Sequence, residues 1–280
     1  MADITADLVK KLRDMTNVSM MECKRALTDA NGDMNQATKI LRERGIATAA
    51  KKSTRTANQG VITSAVTSDG KTVSLVEINC ETDFVARNES FQSFSIEIAR
   101  KACDIDGKLA DKVKAVITAK VAEIGENIVL RRNCRLQLTG KGKVEAYIHQ
   151  GQKIGVIIEV GCEKDETLKN NSFNELVRDI ALHIAASAPQ YLTAHDVPQS
   201  MITSEREIYA KQITNKPPQI IEKIIDGKIK KYFSEVCLVD QPFVKEPKQT
   251  ITQLLSAKSK EMGDILSIRK FARYQLGEEC

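Results

Sequence analysis

Few residue groupings in this chain are built for covalent chemistry. Gly70-Lys71-Thr72 has the ending of a phosphate-cradling loop, in which a glycine-rich turn aims backbone N–H groups at phosphate on entering a helix. Yet the position five residues earlier, which that motif needs as glycine, is Ala65. The tripeptide also lies between two strand-like runs, where turn chemistry is the better reading. The three histidines, His149, His183 and His195, have no serine or cysteine nucleophile and orienting acid at readable spacing. His183 stands in an apolar helical run, where a hydrogen-bonded, half-buried imidazole is expected. His195 is in a polar loop. His149, at the expected tip of a hairpin beside Gly151, is placed for contact with a partner. The seven cysteines form no Cys-x-x-Cys pair and none has a histidine at zinc-ligand spacing, so reduced thiols without metal or cofactor are expected.

The most informative group is Thr82-Asp83-Phe84-Val85, because the chain contains its own control. Shifted by 82 residues, Val76-Glu-Ile-Asn-Cys-Glu-Thr-Asp83 falls on Ile158-Glu-Val-Gly-Cys-Glu-Lys-Asp165. At the same shift Gly60 meets Gly142, Lys71 meets Lys153, and Phe91, Phe94, Ile98 and Ala102 meet Phe173, Leu176, Ile180 and Ile184. Two related hairpin-plus-helix units follow, each burying its sheet under its helix. One reading gives Thr82 or Asp83 to the cap of the following helix and staples Phe84 onto Phe91. The second copy, however, has Glu166 where Phe84 stands. An aromatic is therefore not demanded by the architecture, and recognition is the other reading.

The elements that must carry these residues can be read from periodicity. Residues 1–45 form three short helices, with Leu8, Leu12 and Met15 on one face of the first. Ser19 and Asp33 stand at capping spacing before the second and third, and Gly45 suits a left-handed close. Residues 46–58, with Lys51, Lys52 and Arg55, lack periodicity and read as a basic linker. Residues 59–140 make the first unit: a hairpin turning at Asp69-Gly70, a helix through Phe91, a second helix over about 111–124, and a strand from Ile128. Residues 141–280 make the second. It carries an insertion at about 200–233, two helices parted by Asn215-Lys-Pro-Pro218 and expected to fold back as an antiparallel helical hairpin. The run from Asp264 supplies a last strand. The fold class is α+β.

Composition narrows the class further. Hydrophobic residues at 42% suffice for a core across about two domains, and a net charge of +5 permits acidic partners without demanding them. No apolar run is long enough for a bilayer and the start shows no leader pattern, so a cytoplasmic protein without membrane contact is expected. Arg131-Arg132 and the basic stretch raise RNA binding as an alternative. The strands lack paired aromatics for base stacking, which argues against direct nucleic-acid contact.

At these motifs the chain resembles the elongation factor Ts family along nearly its whole length. The resemblance rests on MTNVSMMECKRAL, ANGDMNQA, AAKK, NCETDFV, IGENI, YIH…KIGV and QPFVKEP in the family's order. It implies a ubiquitin-associated-like bundle, two related α+β subdomains and a coiled-coil hairpin through which two copies could associate. It implies a guanine-nucleotide exchange factor, not an enzyme, that binds elongation factor Tu in its GDP-bound and nucleotide-free forms during translation elongation. By that likeness Thr82, Asp83, Phe84 and Val85 disturb the partner's magnesium site, and His149 intrudes on its phosphate side. Arg13, Met20, Met21, Lys24 and Lys52 grip the GTPase domain. Val244 and Lys245 touch another domain, although relatives often carry an apolar residue where Lys245 stands. A ubiquitin-associated-like binding module without exchange activity is the plain alternative.

Overall fold

The computed structural model describes residues 4–105, 107–213 and 217–279. By contacts the chain divides into two units. One comprises residues 1–63, 76–134 and 275–280, the other residues 64–75 and 135–274.

The first unit opens with three helices: α1 (Ala6–Thr16), α2 (Met20–Asp29) and α3 (Met34–Lys52). Their starts follow from capping. Thr5, Ser19 and Asp33 each accept a hydrogen bond from the backbone N–H three residues on, satisfying donors that the first turn leaves open. Val9, Leu12, Cys23, Ala26, Leu27, Ala37 and Leu41 close a small core. Met15 does not join it: the side chain is exposed, and Val9, one turn before Leu12, takes the inward place. Nor does α3 stop at Gly45. It runs to Lys52, because Gly45 is a contact residue, not a cap. A β-carbon there would stand 3.0 Å from that of Ala122 in α6 (Leu109–Ile124), so the two helices meet closely enough that a side chain would have to push its neighbour aside. The helix faces its bundle through Ala37 and Leu41, then α6 through Gly45, which blurs any single apolar stripe. The aperiodic stretch is thereby reduced to residues 53–58.

The hairpin β1 (Gln59–Val66) and β2 (Thr72–Cys80) turns where Asp69 accepts from the Thr67 hydroxyl at 2.6 Å and the Lys71 N–H at 3.0 Å. Gly70 takes φ +67°, and Gly-Lys-Thr is thus turn material. A one-turn helix α4 (Asp83–Ala86) leads to α5 (Glu89–Asp104), then α6, which ends at left-handed Gly125, and β3 (Val129–Gln137). The sheet order is β1-β2-β3. Phe91, Phe94, Ile98 and Ala102 all face inward from α5.

The second unit repeats this plan with β4 (Gly142–Ile148), β5 (Ile154–Gly161), α7 (Asp165–Leu168) and α8 (Asn171–Ser187). Strands β4 and β5 pair antiparallel from Gly142 opposite Gly161 to Ile148 opposite Gly155. After α8 the insertion departs as α9 (Gln199–Gln212) and α10 (Pro218–Val236), close to the expected bounds. Thr214, Asn215 and Lys216, within the expected turn, lie outside the described residues. Arg206 ties the two helices by reaching Asp226 and Glu222, each at 2.8 Å. The chain returns through a short ribbon, β6 (Pro242–Phe243) and β7 (Glu246–Thr250), to α11 (Ile251–Met262) and β8 (Ser267–Gln275), which gives the sheet order β4-β5-β8. Phe173, Leu176, Ile180 and Ile184 fill its core. Among the described residues no helix is long and apolar enough to cross a membrane.

The two copies agree in detail that periodicity cannot show. Gly60 and Gly142 have φ +145° and +153°, and a β-carbon on either would lie 2.2 or 2.3 Å from the carbonyl oxygen of Ile78 or Val160. Only glycine allows that approach. The thiols of Cys80 and Cys162 donate to the carbonyls of Thr82 and Lys164, two residues on. Each central strand also buries a carboxylate met by an arginine, Glu77 by Arg132 at 2.7 Å and Glu159 by Arg269 at 3.3 Å.

Candidate functional site

Phe84 is the centre of the site because of where α4 places it. Thr82 caps the turn, its hydroxyl oxygen accepting from Val85 N–H at 3.3 Å. Asp83 pairs with Arg87 at 3.0 Å along the outer surface. Ala86 turns inward, Val85 is half-buried, and Phe84 points away with 82% of its surface exposed. The staple onto Phe91 does not form: Phe91 is fully buried in the core, whereas Phe84 keeps most of its surface in water. A phenyl ring held in water leaves most of its apolar area unburied. At the matching place in α7, Glu166 is exposed too, so the shared fold directs this position outward in both copies.

The platform beneath Phe84 is polar and anchored twice. The Glu126 carboxylate accepts from the N–H groups of Glu81 and Thr82, both at 3.0 Å, and from the Thr82 hydroxyl at 2.6 Å. In return the Glu81 carboxylate accepts from Asn127 N–H at 2.6 Å, and Arg55 stands 3.5 Å away. These partners, Asn127 first and then the Arg55 charge, outweigh desolvation and hold the Glu81 carboxyl below its usual range. The second copy keeps one half of this device. Asp264 accepts from Glu163 N–H, Lys164 N–H and, at 2.6 Å, the Thr167 hydroxyl. Burial pushes its carboxyl up, but these donors prevail and the net shift is downward. Sequence reasoning missed both acids. The signal was Ile124-Gly-Glu126 against Met262-Gly-Asp264, an offset of 138 instead of 82, visible only once the inserted hairpin is allowed for.

The remaining expected residues occupy separate places. Arg13 is exposed near the end of α1, and Met20, Met21 and Lys24 are exposed on the first turns of α2. Met15, near the end of α1, is exposed as well. Lys52 is turned inward, its ammonium donating to the Gly125 carbonyl. His149 is exposed just beyond β4, where the Tyr147 hydroxyl lies 3.0 Å from Nδ1 and steadies the ring. Val244 is exposed in the turn of the β6–β7 ribbon, while Lys245 beside it is paired with Asp179 at 2.6 Å.

His183 is fully buried, not half-buried as expected. Val244 N–H donates to its Nδ1 at 3.2 Å, so the ring proton sits on Nε2 and faces Gln241 Oε1 at 3.0 Å. Burial lowers its pKa, with the Gln241 bond opposing. Arg131 and Arg132, the motive for RNA binding, are engaged with the buried Glu77 and with Glu278. Among the described residues no three His, Cys, Asp or Glu side chains converge as a metal site.

The fold and site together define a duplicated α+β protein in which one copy alone displays an aromatic on the shared platform. The sequence model of the family described as Elongation factor TS matches residues 81–278. The chain is 42% identical to Elongation factor Ts of Clostridium novyi (strain NT), with 98% of this chain and 93% of that protein covered. It is 39% identical to Elongation factor Ts of Nitratidesulfovibrio vulgaris (strain DP4), covering 99% and 97%. To Elongation factor Ts of a Nitratiruptor species it is 44% identical, covering 98% and 93%. The chain belongs to the elongation factor Ts family.

Proposed function

We propose that this protein is a guanine-nucleotide exchange factor: it binds the GDP form of elongation factor Tu, disturbs the magnesium site and frees GDP so that GTP can enter. The observation that carries the reading is Phe84, exposed on a braced one-turn helix in one copy and replaced by Glu166 in the other.

The mechanism is competition for the partner's shape. Magnesium is the largest local positive charge neutralising a bound diphosphate, so displacing its ligands weakens GDP. Phe84 gains by leaving water for a partner pocket, about 2–3 kcal/mol for full burial. Asp83, and Thr82 and Val85 that hold the turn, set its angle of entry. His149, steadied by Tyr147, is a second and smaller intrusion toward the phosphates. Arg13, Met20, Met21 and Lys24 supply docking area on the GTPase domain, and Val244 with Lys245 a further contact elsewhere. Exchange factor and GDP are then negatively coupled, and linkage makes the effect reciprocal: GTP expels the factor as the factor expelled GDP. No covalent bond changes, so the proposal needs no acid, base or nucleophile.

Stopped-flow release of fluorescent GDP from elongation factor Tu tests this. The wild type is expected to accelerate release. Phe84→Ala is expected to remove about 30- to 140-fold of that acceleration if the burial energy is expressed in the barrier, at roughly tenfold per 1.4 kcal/mol. Its melting temperature should not move, because the ring contributes almost nothing to its own fold. Failure of the wild type to accelerate release would refute the assignment. A variant as fast as wild type would remove Phe84 from the mechanism.

A further inference from the structure

The two copies share a fold but not a wiring diagram, and the differences cluster on one loop. Both brace the one-turn helix with an acid after the left-handed glycine, Glu126 after Gly125 and Asp264 after Gly263. That brace is fold architecture, since α7 carries no aromatic to present. Among the described residues, four further links are found in the copy that bears Phe84 and not in the other. Asn127, buried, donates from Nδ2 to the Arg55 carbonyl at 2.7 Å and from its backbone N–H to Glu81. The Arg55 guanidinium reaches back to Glu81. Lys52, the last residue of α3, donates to the Gly125 carbonyl. In the second copy the residue matching Asn127 is Ile265, which is 71% exposed, and Gly263 is met by Lys164 of the same copy instead. The fold therefore tolerates an aliphatic residue there and does without the links.

Three of the four lead to one segment, residues 52–55, at the end of α3 and just beyond it. Since Glu81 sits in the same network as the Thr82 cap, a shift of the end of α3 is transmitted to α4 through paired polar groups, not through a flexible tether. We propose that Asn127 is a positioning residue: with Lys52, Arg55 and Glu81 it couples the seating of the amino-terminal bundle on the partner to the orientation of Phe84. This rests on the exchange reading above. It adds that the bundle does more than raise local concentration, because it fixes the angle at which the wedge enters.

Asn127→Ile, the residue that the second copy uses, cuts the link with a side chain that the same loop carries in the other copy. In GDP-release kinetics against elongation factor Tu, the variant is expected to lower the saturating rate about five- to tenfold. The half-saturating concentration, set by docking of the bundle, should hold. In a Phe84→Ala background the same substitution is expected to cost nothing, since both changes act through one side chain. An early-melting Asn127→Ile is replaced by Arg55→Met, which cuts the Glu81 contact from a half-exposed side chain and is judged by the same two readouts. A wild-type saturating rate in the folded variant overturns the coupling, as does an equal loss in both backgrounds. No acceleration by the wild type itself instead sinks the exchange reading, and the coupling with it, before any variant is compared.

Discussion

At the scale of single residues, His183 shows how one buried side chain carries a consequence for stability. Its Nδ1 is an acceptor for Val244 N–H, and a second ring proton would remove that acceptor. Burial lowers the folded-state pKa below the ordinary 6.5. The sign follows: between the two values the unfolded chain binds more protons than the folded one, so stability is lost as pH falls below about 6.5 and is unaffected above it. The loss can reach about 1.4 kcal/mol per pH unit within the window, the limit for one proton. Urea unfolding of the wild type at pH 7.5 and 5.5 should show the drop, and His183→Gln should flatten it. Glu81 and Asp264 add acid sensitivity only near and below their ordinary values of 4.5 and 3.8, since their pKa values are depressed. An undiminished slope in the variant would assign the drop to another group. Sequence reasoning read this histidine as hydrogen-bonded and half-buried from its apolar neighbours, and reached neither its full burial nor its tautomer. Val244 and Gln241 come from a segment some 60 positions away, and only the fold introduces them.

At the scale of elements, two mid-helix glycines that look alike in the sequence carry opposite instructions. Gly45 in α3 lies where the β-carbon of Ala122 approaches, whereas Gly227 in α10 has open space around its missing side chain. Gly45→Val should therefore destabilise the protein by about 1–3 kcal/mol through overpacking, despite a gain in helix propensity. Gly227→Ala should stabilise α10 by about 0.5–1 kcal/mol, mainly by narrowing the unfolded ensemble. Thermal melts of the two variants check the pair, and a stabilised Gly45→Val would mean that α3 and α6 do not meet as described. The same contrast explains where the sequence misled. A glycine after an apolar run signals a helix end by default, and the residue that overrides the default, Ala122, is 77 positions on. Strand pairs, caps at Ser19 and Asp33, and the faces of α5 and α8 were legible because each depends on neighbours within a few residues.

At the scale of the whole molecule, duplication separates what the fold requires from what the proposed function adds. Gly60 and Gly142, Cys80 and Cys162, Glu126 and Asp264 are pairs, so the platform was readable once the offset of 82 was seen and, for the acids, once the inserted hairpin was set aside. Phe84 has no aromatic partner in the other copy, and its outward direction was a matter of three-dimensional placement that no periodicity reports. The asymmetry makes a direct test. The double variant Phe84→Glu with Glu166→Phe keeps composition and charge unchanged and exchanges two exposed side chains. Its melting temperature should match the wild type within the small range typical of surface substitutions, about 0.5 kcal/mol. Its acceleration of GDP release should be no greater than that of Phe84→Glu alone, because α7 lacks the links through Asn127 and Arg55 that tie the platform to the end of the amino-terminal bundle. If moving the phenyl ring to the second copy restored the rate, an aromatic on either platform would suffice, and neither the wiring beneath Phe84 nor its place in the chain would matter to exchange.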